Sequence, residues 1–469
     1  MAGSSFSSSV VNLIKICIGT GILALPYSFA CGGLLTAPLF LALVARWNAF
    51  SVDRLLSCER LVPPPLPASP GCSQGGKPCC SLGDVARGAF GRGGRYLVDC
   101  TIATLLVGVC ISYQVAASSF MLSDPLLSFG SSASNSGLLF VPLLSLCLFS
   151  NIASLSKFSF LGLLSIAFSF VVITIHGVSE NGFRGFSEPT VPLLPPSLST
   201  FAVYYGTASF CYGITPVTFP MKSSMAEPSR MAAANRLALF CAFAFYTAIG
   251  AFTILLFSPP GEPGLQGDIL QALPTGSPLT LAVRVSMILV CIVSYPLCLV
   301  PGSEVIEDML MDSPLVSVLS HTPLRYGTRL LLVALTTLVA AKIPSFVLVV
   351  SLIGCFCVSI VSFVFPPLFH LRLLQKRLGG GGGGKGAVVM TEASSLLPKS
   401  EGGAGGADGA DGAGGAGGVW AKEMQVDKVM IAVGVISTIV TTLLTLQTIV
   451  AQWSDGVPGN GVPGQRESS

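Results

Sequence analysis

Charge is scarce in this chain. Of 469 residues, 25 are Lys or Arg, 22 are Asp or Glu and 3 are His, and charged side chains make up 10% of the total. A soluble domain carries about 25% charged residues, so this composition excludes a water-facing globular surface. No Lys/Arg-rich tract is present, which excludes a nucleic-acid partner. The 15 cysteines contain no C-x-x-C pair and give neither a metal site nor a disulfide framework. Most of them (Cys17, Cys110, Cys211, Cys241, Cys291, Cys355, Cys357) lie in apolar runs, where cysteine is a small buried hydrophobe. Cys72, Cys79 and Cys80 share a loop; the adjacent pair reads as plain thiols in a reducing compartment or as palmitoylation sites. No cofactor is implied.

What is abundant is apolar sequence: 51% of residues are hydrophobic, with a mean hydropathy of +0.76. A multi-span, all-α membrane protein follows. A window of about 20 apolar residues per span gives about eleven helices, near 6–30, 33–57, 94–123, 137–154, 158–178, 199–220, 232–258, 278–301, 327–345, 346–371 and 426–452. The first run lacks a basic n-region and is long enough to cross a bilayer, so it reads as a retained span, not a signal peptide. The loop from Cys58 to Gly93, with Pro63-Pro64-Pro65, and the glycine-rich stretch from Gly379 to about Gly418 read as irregular tethers. The expected layout is 1–178 for five helices, 199–374 for five more, a linker over 375–425, an eleventh helix over 426–452 and a tail over 453–469.

Orientation follows from Lys and Arg placement. With the N-terminus in the cytoplasm, inside loops receive residues such as Arg54, Arg60, Arg87, Lys222, Arg236, Arg372 and Lys428, while the outside receives only Arg184, Lys342 and Arg466. Lys342-Ile343-Pro344 is read as the short connection between two spans.

Within this frame one stretch is anomalous: Asn12-Leu13-Ile14-Lys15-Ile16-Cys17-Ile18-Gly19-Thr20-Gly21-Ile22-Leu23-Ala24-Leu25-Pro26-Tyr27. It is apolar enough to span, yet two glycines weaken the helix, a proline removes a backbone donor and a lysine sits inside. In lipid a broken helix survives only where its freed amides and carbonyls face protein, ligand or a wet cavity. The sixth run is similar, with Gly206, Gly213, Pro216 and Pro220 between Phe201 and Pro220. Interrupted helices at matching positions in two five-helix halves mark a secondary transporter built from inverted repeats.

The residues Gly19-Thr20-Gly21-Ile22-Leu23-Ala24-Leu25-Pro26-Tyr27 resemble the first-helix signature of the amino acid/auxin permease family. The sixth span through Lys222 and Met225, Ser294-Tyr295-Pro296-Leu297 with Pro301, Ala341-Lys342-Ile343-Pro344-Ser345-Phe346, Ser351-Leu352-Ile353-Gly354 and Phe365-Pro366-Pro367 resemble its later helices. The likeness runs from about residue 6 to 374. Ser303 departs from it, since relatives often carry an arginine just after the eighth helix. The resemblance implies a leucine-transporter-type 5+5 inverted repeat and amino acid transport coupled to protons or, in some branches, sodium.

A zwitterionic amino acid needs a partner for each charge. The half-helix after the first break presents free N–H groups and the positive end of its dipole, so the amides of Thr20, Gly21 and Ile22, approached across Gly19 and Gly21, are expected to hold the carboxylate. Carbonyls near Ala208 and Ser209 are expected to hold the ammonium, with Phe210, Tyr212, Tyr205 and Thr215 contacting the side chain. Lys15 lies about one turn before Gly19, and an ionisable residue at that depth is by default functional. Its ammonium takes the place of a sodium ion, so proton coupling is expected ahead of sodium coupling; a lysine that snorkels to the cytoplasmic face is the other reading. Arg284 is expected to reach the headgroups in preference to pairing with an external carboxylate. Arg46 has no evident partner, and His176, His321 and His370 receive no role.

So few intramembrane ionisable groups argue against an embedded enzyme, and nothing resembles a channel filter. A sensor that binds amino acids without moving them stays open beside the transporter. The membrane is either the plasma membrane or one of vacuolar or lysosomal type.

Overall fold

A chain this apolar has to satisfy its backbone polar groups within each segment, and helices do so. The computed structural model describes residues 4–62, 81–149, 159–187, 189–258, 265, 267–311, 321–343, 345–379 and 412–454. Among them it is built of helices, and the only β pairing is one isolated bridge between Ser4 and Met225. The first run is α1 (Phe6–Cys17), a 3-10 turn (Thr20–Ala24) and α2 (Leu25–Gly32). There follow α3 (Thr36–Leu61), α4 (Leu82–Phe90), α5 (Arg92–Leu122), α6 (Ser132–Phe149) and α7 (Ser159–Asn181). The second interrupted run is α8 (Leu198–Cys211), a 3-10 turn (Thr215–Val217) and α9 (Thr218–Ser224). Then come α10 (Met231–Leu256), α11 (Pro278–Met311), α12 (His321–Ala340), α13 (Phe346–Ile353), α14 (Phe365–Gly379) and α15 (Gly412–Ser454). Between α13 and α14 the backbone winds as π-helix over Gly354–Val358 and Ile360–Val364.

Among the described residues six helices are long and apolar enough to cross a membrane, or seven if the bent pair α1–α2 is one span. The difference from eleven has physical reasons. Helix α3 carries Arg46, Asp53, Arg54, Glu59 and Arg60, and the sixth run is divided into pieces each shorter than a span.

Several expectations are corrected. The 58–93 loop is not irregular throughout: α3 continues to Leu61, and α4 occupies Leu82–Phe90. A capping box starts α4, with Ser81 Oγ accepting from the Asp84 amide at 3.1 Å and Asp84 accepting from the Ser81 amide at 3.0 Å. Its Val85, Ala86 and Ala89 are buried with Leu55 and Phe369. The glycine-rich linker is shorter than expected, since α14 reaches Gly379 and α15 begins at Gly412. Cys72, Cys79, Cys80, the linker over 380–411 and the tail from 455 lie outside the described residues.

Arg284 does not reach the headgroups. It is buried, and its Nη1 donates to Asp124 at 3.1 Å while Nη2 donates to the carbonyls of Leu273 and Leu270 at 2.9 and 3.4 Å. Ser303 lies inside α11, not after it, and is fully buried. The small side chain leaves room for Arg329 of α12, whose Nε donates to Ser303 Oγ at 3.3 Å and Nη1 to the Cys147 carbonyl at 2.9 Å. His370 is buried against Asp427 of α15 at 2.5 Å, and Arg54 approaches the same carboxylate at 3.0 Å. Arg46 is exposed.

The tightest packing braces the second interrupted run. At Gly206 of α8 an added Cβ would lie 2.1 Å from the Ser351 carbonyl oxygen, and at Gly354 one would lie 1.8 Å from that of Gly206. Both contacts are with backbone, which cannot give way as a flexible side chain does. Gly206→Ala or Gly354→Ala is therefore expected to destabilise the protein by about 1–3 kcal/mol or more through overpacking. A melting curve in detergent checks this against Gly137→Ala in α6, where a Cβ meets nothing within 4 Å and the melting temperature should hold or rise.

Candidate functional site

The first break is local in origin. Helix α1 ends where the Ile18 amide donates to Ile14 and the Gly19 amide to Cys17 at 2.9 Å, and a 3-10 turn restarts the helix with the two segments bent by 50°. The first amides of a restarted helix have no carbonyl ahead of them within it. The Ile22 amide donates to the Gly19 carbonyl at 3.2 Å. Of the three amides expected to receive a carboxylate, those of Thr20 and Gly21 are thus the ones left to other partners.

The two glycines serve different ends. Gly19 is extended, with φ −111° and ψ −168°, a conformation open to any residue, and a Cβ there would meet no atom within 4 Å. A Cβ on Gly21 would come within 2.9 Å of the Phe210 ring. Gly19 keeps space open, whereas Gly21 lets the two interrupted runs touch.

The second break is built by rerouting hydrogen bonds. The Tyr212 amide donates to Ser209, three residues back, in place of Ala208 four back. The Ala208 carbonyl thereby loses its regular helical partner. Gly213 donates to Phe210 at 3.1 Å, and the Cys211 carbonyl accepts from the Tyr246 hydroxyl at 3.1 Å. Of the two carbonyls expected to receive an ammonium, Ala208 fits better than Ser209. Two side-chain oxygens at this break, Ser209 Oγ and Tyr212 Oη, are buried with no hydrogen-bond partner among the described residues. Such groups are costly to bury unpaired.

Not every residue expected to contact a ligand side chain turns this way. Tyr205 hydroxyl donates to Ser437 of α15 at 3.1 Å and lies 3.2 Å from Ser359, and Thr215 donates to Ser362 at 2.9 Å. Both face the π-helical segment or α15. Phe210 and Tyr212 stay at the break.

On the α1 side of the first break lies a cavity of about 450 Å³, lined by Lys15, Gly19 and Thr20 together with residues of α5, α7 and α11. Among the described residues Lys15 is the only one in the lining with a charged side chain. The wall includes Tyr113, Ser165, Ser286, Ser294 and Cys298. Of these only Ser294 belonged to a stretch singled out from sequence. Tyr113 had a readable signal, since Ser112-Tyr113-Gln114 is a polar triplet inside the apolar run of α5.

On the other side of the break the segment Ile269–Ala272 packs against Thr20–Ala24. Ile269 and Leu270 are buried in the same apolar cluster as Ile22 and Leu23. The segment is fastened by the Arg284 bonds described above. A buried ion pair of this kind, once halved, costs about 3–5 kcal/mol. Asp268, at its start, is fully buried and accepts from the Leu270 amide at 3.1 Å, Gln271 Nε2 at 2.9 Å and Ser119 Oγ at 3.3 Å. Burial without a cation among these partners pushes its carboxyl up to about 6.

Residues 2–381 match the family model described as "Transmembrane amino acid transporter protein". Amino acid transporter AVT1D of Arabidopsis thaliana is 27% identical over 80% of this chain and 64% of its own length. Amino acid transporter ANT1 of the same plant is 25% identical over 78% of this chain and 84% of its own. Vacuolar amino acid transporter 3 of Saccharomyces cerevisiae is 24% identical over 78% and 51%. The chain thus spans less than two thirds of the length of AVT1D. Among solved structures, MhsT in complex with L-phenylalanine aligns with 93% of this chain and 98% of its own at 14% identity, with a TM-score of 0.47, too low to carry an argument. The match over residues 2–381 covers far more than half of the sequence, and the chain belongs to the transmembrane amino acid transporter protein family, a family of integral membrane transporters and not of enzymes.

Proposed function

We propose that the protein is a secondary active transporter that binds an amino acid between its two interrupted helices and moves it by alternating access. One observation carries the reading. At the second break Ser209 Oγ and Tyr212 Oη have no partner among the described residues, the Ala208 carbonyl has lost its regular helical donor, and this break lies against the Thr20–Gly21 turn through Phe210. A zwitterion is the complementary ligand. Its carboxylate accepts from the Thr20 and Gly21 amides at the positive end of the restarted helix, and its ammonium donates to the Ala208 carbonyl. The names of the curated relatives, amino acid transporters of plants and yeast, support the same substrate class.

In this reading about eleven spans form two inverted five-helix repeats plus one further helix, with discontinuous helices as first and sixth. The N-terminus faces the cytoplasm, as the distribution of Lys and Arg favours. The cavity holding Lys15 then opens toward the cytoplasmic side, and the Ile269–Ala272 segment covers the extracytoplasmic side. Lys15 is the coupling group, its ammonium beside the break taking the place of a coupling cation. Vacuolar transporter 3 of yeast favours an internal membrane of vacuolar type.

Three predictions test this. Gly19→Ala places a methyl in open space, so the melting temperature should stay within about 1 °C while the KM for the amino acid rises at least about tenfold by intrusion on the ligand. Gly21→Ala should abolish uptake through the Phe210 clash, and Phe210→Ala in that background should restore part of it; no restoration would separate the two breaks functionally. Lys15→Met should remove the dependence of uptake on the proton gradient while amino acid binding and exchange persist. An unchanged pH profile in that variant, with sodium substituted, takes Lys15 out of the mechanism.

A further inference from the structure

The extracytoplasmic side of the break carries ionisable groups that the transport reading does not use. Asp268, Asp124 and Arg284 converge there on one short segment. Arg284 grips the backbone of that segment through the Leu270 and Leu273 carbonyls and is itself held by Asp124 of the loop after α5. Asp268 is tied differently. Its hydrogen-bond partners are the Ser119 hydroxyl, the Gln271 amide group and the Leu270 backbone amide, all uncharged. Element by element, the titratable groups at this corner among the described residues are Asp124 of the loop after α5, and Arg284 and Cys291 of α11; the Thr20–Ala24 turn supplies none. The guanidinium of Arg284 is thus spent on Asp124 and on carbonyls, and among the described residues the Asp268 carboxylate is buried with neutral donors alone.

We propose that Asp268 is an extracytoplasmic proton site, taking up a proton from water as the 268–273 segment closes over the helix break and releasing it as the segment lifts, with Arg284 and Asp124 as the latch that fixes the closed backbone. This goes beyond Lys15, which lies on the other side of the break, and it gives the carrier a proton-sensitive group on each face.

The sign follows from burial. In water a lifted Asp268 ionises near 3.8, whereas in the closed segment it does so near 6. Closure therefore takes up a proton between these values. Acid favours the closed segment, an advantage complete below 3.8 and lost as pH rises through 6. An acidic extracytoplasmic compartment would thus drive the segment shut behind a bound substrate.

The test uses the full chain in lipid nanodiscs, where reagent and buffer reach both faces. Ile269 is fully buried, so Ile269→Cys reports lifting of the segment by its labelling with a maleimide, read as the increment over the chain without that cysteine. Beyond the loss of thiolate in acid that any cysteine shows, labelling should fall further as pH drops through 6, by up to about tenfold per unit. Asp268→Asn carries the same thiol chemistry, so it should show only the thiol's own pH dependence and lack the additional fall. Gln271→Leu removes a donor to the carboxylate and should move the midpoint to higher pH. Asp124→Asn should raise labelling at every pH while the pH step remains. The proposal is overturned if Asp268→Asn follows the pH dependence of the parent, or if Gln271→Leu leaves the midpoint in place. Labelling needs no substrate, so absence of amino acid counterflow would sink the transport reading and leave this one standing.

Discussion

A helix that stops in the middle of an apolar protein leaves amides and carbonyls that lipid cannot satisfy, and the architecture around Gly19–Thr20–Gly21 answers that constraint. The turn is buried on all sides: Thr20, Gly21, Ile22, Leu23 and Ala24 are each nearly inaccessible. It is covered by α8 on one flank and by Ile269–Ala272 on another. The bare glycine at 21 admits the Phe210 ring, which seats the second interruption against the first. In the reading proposed above, the Thr20 and Gly21 amides and the Ala208 carbonyl, opposed in this way, would offer complementary ends to one small zwitterion. Neither break would offer both ends alone.

The second break needs a rigid support because it lacks helical bonds of its own. That support is the π-helical stretch between α13 and α14. Its Gly354 and the facing Gly206 let two backbones approach to van der Waals contact. Around them Thr207 and Ser351 hydroxyls lie 3.0 Å apart, and Ser351 donates to the Val203 carbonyl at 2.8 Å. Tyr205 extends the same brace to α15 through Ser437. The polar side chains of this half therefore divide into two groups. One set, with Tyr205, Thr207 and Thr215, is paired and holds the half-helix in place. The other, Ser209 and Tyr212, is left unpaired at the point of interruption.

The breaks themselves were legible because their chemistry is local: glycine, proline and lysine disturb an apolar run wherever it folds. The same locality explains what was not legible. Whether Tyr205 or Tyr212 faces a ligand depends on the neighbour each meets, and Ser437 lies more than two hundred residues away from the tyrosine it binds. Arg284 looked like a snorkelling residue because its partner Asp124 sits in the loop after another helix. Ser303 looked like a missing arginine, yet Arg329 from α12 brings a guanidinium to the same spot. Helix α4 was concealed by the proline- and glycine-rich sequence beside it, although Ser81-Leu82-Gly83-Asp84 spells a capping box.

Placement of charge around the break has a mechanistic consequence. Lys15 lies on the cavity side of Gly19, and Arg284, Asp124 and Asp268 lie on the covered side. Between them the proposed binding region would use backbone dipoles and hydroxyls in place of formal charge. A permanent charge at the centre would bind one end of a zwitterion too well and would have to be desolvated each time the site emptied. In the transport reading proposed above, partial charges on amides and carbonyls would hold the substrate without that cost. Asp268 would then meet water on its own side of the break, so that its protonation biases the motion of a segment instead of competing with the substrate for a partner. On that reading the scarcity of charge that first defined the sequence would be, at the break, the condition that lets one site face two solutions in turn.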